Sequence, residues 1–275
     1  MSTIPKPVPA IPGQQNLNRG LSVWVALDWL KAGWRDFSSI RMEASILYGL
    51  LVFILSLGIV FGLYLLRMDY VMFPALAGFT VIGPVLAIGL YEKSRRIQRN
   101  DPVTLKDMYF VHAQSKGQIW FVGVLLSLLI LMWMRVAVLL YALFFGMHPF
   151  PGLAQITSTL FTTADGWALL LVGGIVGGLF AAFAFAISVF SFPILLNEKS
   201  DAFSAMGASI VLVSHNLPVM VAWGFIVMVL FALTVLTGFV GMIIVYPVLG
   251  HATWHAYLAI RGKPGTPVIG PAIPD

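Results

Sequence analysis

Cysteine is absent from all 275 residues, which excludes disulfides, thiolate metal sites and cysteine nucleophiles while leaving the compartment open. Charge is scarce as well: 10% of residues are charged against 59% hydrophobic. The first twenty residues lack the apolar core of a cleavable secretory signal; Pro5, Pro7, Pro9, Pro12, Gly13 and Gln14 predict instead a flexible cytoplasmic tail over 1–21. No serine or histidine arrangement amounts to a hydrolase triad, and no phosphate-binding glycine loop follows a strand. The chain is therefore read as non-enzymatic, and no cofactor is assigned to it.

What is abundant is long apolar sequence. Six runs reach the roughly 20 residues that a helix needs to cross the hydrocarbon layer: Ala44–Leu66, Val71–Tyr91, Ile119–Phe144, Gly166–Leu195, Leu217–Leu236 and Phe239–Ala259. Lipid offers no partners to free amides and carbonyls, so spans must be helices or a closed barrel. Unbroken runs rather than short alternating ones select helices, and the fold class is all-α, a polytopic membrane protein. The fourth run is too long for a perpendicular crossing and should tilt or extend into the interface.

Basic residues set the expected orientation. Lys6, Arg19, Lys31, Arg35 and Arg41 precede the first span, and Lys93, Arg95, Arg96, Arg99, Lys106 and Lys116 fill the second-to-third connection. Lys199, Arg261 and Lys263 fall on that same side, which predicts both termini in the cytoplasm of a bacterial inner membrane. The net charge of +5 then follows from topology and anionic headgroups, without nucleic acid as a partner.

Three spans end on related prolines: Gly83-Pro84-Val85-Leu86, Phe192-Pro193-Ile194-Leu195 and Tyr246-Pro247-Val248-Leu249. The recurrence suggests three tandem hairpin units of common orientation, at about 22–100, 101–198 and 199–260, within one membrane domain over 22–260 and followed by a tail at 261–275. Each unit opens on a candidate interfacial helix: Ser22–Phe37, Val103–Ala113 and Ala202–Ser214. An amphipathic connector packed on the span ends fits these segments equally well. Asp101-Pro102 suggests a cap followed by a first-turn proline. Pro84, Pro193 and Pro247 should each kink their helix near its cytoplasmic end.

Five groups of residues could carry chemistry or contacts. Anchored on the prolines, Glu92, Asp201 and His255 share one offset and would form a cytoplasmic ring around a pseudo-threefold axis; charged residues at helix ends are the simpler explanation. Gly173, Gly174, Gly177 and Gly178 make overlapping small-xxx-small pairs that allow close helix contact. Arg135 lies inside the third span and needs water or a partner, Asp165 and Asp69 being within topological reach. His251 and His255, one turn apart, could bind haem or a metal, although no third ligand is evident. The connection Gly146–Asp165, with Met147-His148-Pro149-Phe150-Pro151, could cap the bundle or receive a partner.

The stretches Trp29–Asp36, Gly83–Glu92, Ala142–Gly146 and Gly250–Tyr257 resemble a bacterial family of predicted integral membrane proteins with a domain of unknown function. The likeness runs from about Trp24 to Tyr257 and implies a six-span inner-membrane architecture without an assigned activity. Some relatives carry the label cytochrome c oxidase subunit I, but five histidines and six spans fall short of such a catalytic subunit. The expected role is an accessory or scaffold subunit of a larger respiratory or photosynthetic membrane complex, in contact with lipids and protein partners. A small-solute or lipid transporter and a haem- or metal-binding membrane protein are the alternatives.

Overall fold

The computed structural model describes residues 18–146 and 150–262, so the tail beyond either end and the Met147-His148-Pro149 tip lie outside the described residues. The described residues form helices and connecting turns, with no strand. In chain order the helices are α1 Val25–Ser38, α2 Met42–Leu65, α3 Met72–Leu86, α4 Ile88–Arg99, α5 Leu105–Tyr109 and α6 Lys116–Phe145. They continue with α7 Leu153–Thr162, α8 Ala164–Ser188, α9 Ser191–Asn197, α10 Ala202–Ser214, α11 Leu217–Leu236 and α12 Met242–Arg261. Six membrane-length apolar stretches result: Met42–Leu65, Pro74–Arg99, Lys116–Phe145, Ala164–Asn197, Leu217–Leu236 and Met242–Arg261. They overlap the six expected runs, the second running on past Tyr91 to Arg99, and the fourth is the longest at 34 residues.

Within lipid, helix association depends on close packing and interhelical hydrogen bonds rather than on removal of apolar surface from water. α12 is the central element on that criterion: 61% of its most apolar window is buried, against 11–29% for the other spans. Small residues admit its neighbours. A Cβ on Gly33 of α1 would stand 2.6 Å from both Ala252 N and Val248 O, and one on Gly49 of α2 would collide with the carbonyl of Ile243. That carbonyl is four residues before Pro247, where the ring removes the helical donor, so α2 lies against the opened turn.

The three prolines behave differently. At Pro193 the helix breaks into α8 and α9, because Ser209 of α10 enters the ladder: Phe190 N donates to Ser209 Oγ (3.2 Å), which donates to Ala186 O (2.6 Å). At Pro84 the break comes after the proline, at Ala87, and Tyr48 Oη donates to the orphaned Leu86 carbonyl at 2.6 Å. At Pro247 α12 continues through as one helix.

The lead-in segments also diverge. α1 buries Trp29, Ala32, Gly33 and Asp36 against the bundle, mainly on α12, and leaves Trp24 and Trp34 outward. The second segment shortens to α5, whose start is set by a Thr104–Asp107 capping box and not by Asp101-Pro102. α10 keeps the expected bounds, capped by Asp201, whose side chain accepts from Ser204 N. The connection after α6 carries α7, packed on the start of α8 where Gly166 touches Thr159 and Leu160.

The basic connections gather at one end of the bundle. Asn18 N donates to Ile260 O, Lys93 Nζ to Arg41 O, Gln114 N to Leu196 O and Arg99 to Asn197 Oδ1. Both described chain ends and the Lys93–Lys116 stretch therefore share that end.

Candidate functional site

At the basic end, four helices bring polar side chains into contact inside the protein. α12 supplies His251 and His255, one turn apart on one face; α4 supplies Lys93 and Ser94, α2 Ser45 and α1 Asp36. His251 and Lys93 are both 0% exposed, so each must find partners within the bundle. Ser94 Oγ donates to Asp36 Oδ2 at 2.6 Å and lies 2.8 Å from His251 Nδ1. On the other side of the ring, His251 Nε2 is 3.1 Å from Ser45 Oγ, which accepts from Lys93 Nζ at 2.9 Å.

Counting protons fixes the direction of this chain. A serine hydroxyl has one hydrogen, and Ser94 has spent its own on Asp36, so it accepts from His251 Nδ1–H. His251 Nε2 is then the acceptor for the Ser45 hydroxyl, and Ser45 in turn accepts from Lys93. The hydrogen bonds run one way from the Lys93 amine to the Asp36 carboxylate, through one tautomer of His251. His255 Nε2 completes the carboxylate from the other side, 2.8 Å from Asp36 Oδ2. Burial pushes the Asp36 carboxyl up, but the hydrogen bonds from His255 and Ser94, with the nearby imidazoles, hold it below its ordinary value.

Two ion-pair groups flank this chain. Glu92, 2% exposed, is clasped by Arg95 at 2.5 Å and Arg96 at 2.8 Å, and Arg96 reaches on to Asp107 of α5 at 3.1 Å. Arg95 also donates to Leu196 O and His112 O, tying α4 to the end of α9. Glu198 accepts from Arg261 at 2.7 Å and from Tyr257 Oη at 2.8 Å. Against the upward pull of burial, these donors keep the Glu198 carboxyl below its usual range.

The residues singled out from sequence fall as follows. Glu92, Asp201 and His255 engage three different sets of partners: the α4 arginines, Ser204 of α10 and Asp36 of α1. Both ring nitrogens of His251 are hydrogen-bonded to serines and His255 turns to Asp36, so His251 has no free nitrogen to offer a metal. Arg135 and Asp165 are both exposed on the bundle surface and form no ion pair with each other among the described residues; the side chain of Asp69 lies outside them. In the glycine run, Gly177 packs on Trp133, where a Cβ would come within 2.8 Å of the indole, and Gly173 meets only its own helix at Leu169. Gly174 and Gly178 have open space around them and face outward beside exposed Leu171, Ile175 and Leu179.

Sequence reasoning missed Asp36, Ser45, Ser94 and Glu198. A serine inside an otherwise apolar stretch, Ser45 at the start of α2, was the available signal. It also missed a cavity of about 490 Å³ between α3, α8, α11 and α12, lined by Phe79, Phe185, Phe231 and Tyr246 among others. No charged residue lines it among the described residues.

No curated protein and no solved structure matches the chain. Residues 71–197, from the start of α3 to the end of α9, match the family model described as predicted integral membrane protein, DUF2189. Over that stretch the chain is thus similar to this family of predicted integral membrane proteins, in keeping with the six apolar spans described above.

Proposed function

We propose that this is a non-catalytic protein of the bacterial inner membrane, with its basic end in the cytoplasm, that serves as an accessory or scaffold subunit of a larger membrane complex of respiratory or photosynthetic type. The observation that carries the reading is the outer face of α8. Gly174 and Gly178 stand four residues apart, and a Cβ on either would meet nothing within 4 Å, between exposed Leu171, Ile175 and Leu179. Small residues spaced this way let a second helix approach closely, and in lipid such packing is the main source of association energy. Internal packing accounts for Gly177 on Trp133 and leaves the adjoining face of the same helix, at Gly174 and Gly178, uncovered.

The cytoplasmic assignment is supported by the gathering of Arg41, Lys93, Arg95, Arg96, Arg99, Lys199 and Arg261 at one end. The test is purification from native membranes in mild detergent, followed by mass spectrometry. A stoichiometric membrane-protein partner is expected, and Gly174→Leu with Gly178→Leu should release it while the thermal unfolding of the chain itself is unchanged. Repeated recovery of a monodisperse particle containing this polypeptide alone, or a partner retained by the double variant, would contradict the proposal.

A further inference from the structure

The cavity between α3, α8, α11 and α12 is apolar over most of its wall, yet two hydroxyls on it have no protein partner among the described residues. Tyr91 of α4 is 1% exposed and Ser188 of α8 is 2% exposed, and neither hydroxyl has a hydrogen bond among the described residues. Buried polar groups are ordinarily satisfied, and each orphan costs about 1–3 kcal/mol. Two on one cavity wall therefore point to something that satisfies them from inside the cavity.

Shape and position narrow the occupant. The wall follows the second span from Phe79 to Tyr91, on the order of 18 Å at the rise of a helix. This is comparable to one leaflet, about half of the roughly 30 Å hydrocarbon core. Ala181 and Ala182 of α8 and Val221 and Met228 of α11 line it and are exposed, so the cavity opens sideways at bilayer depth between those two helices. Phe79, Phe185, Phe231 and Tyr246 give the shaft an aromatic lining suited to a flexible apolar chain.

The polar groups narrow it further. Each hydroxyl carries one donor hydrogen, and a carbonyl oxygen with its two lone pairs accepts from both. A phosphate is disfavoured, because no Lys, Arg or His lines the cavity among the described residues to offset a buried anion. We infer that the cavity binds one uncharged membrane lipid, its apolar chain along the aromatic shaft and its carbonyl headgroup against Tyr91 and Ser188. This site is separate from the α8 face that faces outward at Gly174 and Gly178, and it stands whether or not the protein has a subunit partner.

The full chain in nanodiscs, exposed to a long-chain methyl ketone bearing a diazirine on its chain, tests the inference directly. Photolabelling should saturate at one ketone per chain and map to the cavity walls of α3, α8 and α11. Excess phosphatidylglycerol should leave it unchanged, and a diazirine alkane without the carbonyl should label at least tenfold less well. Tyr91→Phe keeps the ring and removes the hydroxyl, and should weaken labelling about tenfold, the worth of one buried hydrogen bond. Gly224→Leu fills the shaft from α11, where a Cβ would meet only Phe185 at 4.0 Å, and should abolish labelling. Labelling that rises without saturation, that phosphatidylglycerol suppresses as well as the ketone does, or that persists in Gly224→Leu would overturn the inference.

Discussion

Ser94 is the residue on which the polar chain turns, because it alone links the α12 imidazole of His251 to the α1 carboxylate of Asp36. Ser94→Ala should cost about 1–3 kcal/mol by leaving a buried donor and part of a buried carboxylate unsatisfied. Thermal unfolding in detergent reads this, and an unchanged midpoint would contradict the assignment of the hydrogen bonds. The carboxylates give the pH dependence its sign. Asp36 and Glu198 are both held below their ordinary values, so their contribution is fully present above the usual carboxylate pKa of about 4 and is lost as the pH falls through the lower folded-state value. Asp36→Asn should lower stability at neutral pH and flatten the loss in acid. An acid limb of unaltered steepness would show that Asp36 does not contribute to it. The pairing of His251 with His255 was legible, since an i, i+4 spacing is local. Their partners were not: Asp36 lies 219 residues from His255 in sequence, and no local pattern encodes so distant a contact.

At the scale of elements, the spans were the most legible part, because twenty apolar residues have few alternatives in a chain this poor in charge. Helix breaks were less so. Proline marks where a break is permitted, but Ser209 and Tyr48, on other helices, supply the hydroxyls that stabilise the two that form. At Pro247 no hydroxyl from another helix enters the ladder among the described residues, and α12 runs on. Glycines depend on distant partners in the same way: the conspicuous run in α8 leaves two of its four members uncovered within the chain, whereas isolated Gly33, Gly49 and Gly250 make the close contacts of α12 with α1, α2 and α4. Gly33→Ala should therefore destabilise by about 1–3 kcal/mol, since its Cβ would press on backbone that cannot yield. Gly174→Ala should be neutral in the isolated protein. Denaturation of the two variants side by side measures this, and equal midpoints would contradict the packing described for α1 on α12.

The whole molecule rests on one arrangement: six spans whose basic connections and described ends lie together, at the end where the polar chain is buried. Hydropathy and the distribution of Lys and Arg carried that arrangement in the sequence, whereas the lateral cavity, a product of how α8 and α11 stand apart, left no sequence signal. Because the natural chain has no cysteine, single cysteines can be introduced without background. The decisive measurement places them at Lys106 and Lys199 on the basic end and at Thr162 at the end of α7, and labels intact spheroplasts with a membrane-impermeant maleimide. With the basic end in the cytoplasm, Thr162→Cys reacts at once, and Lys106→Cys and Lys199→Cys react only after the membrane is opened. Prompt labelling of Lys106→Cys or Lys199→Cys in intact spheroplasts, with Thr162→Cys protected, would contradict that orientation.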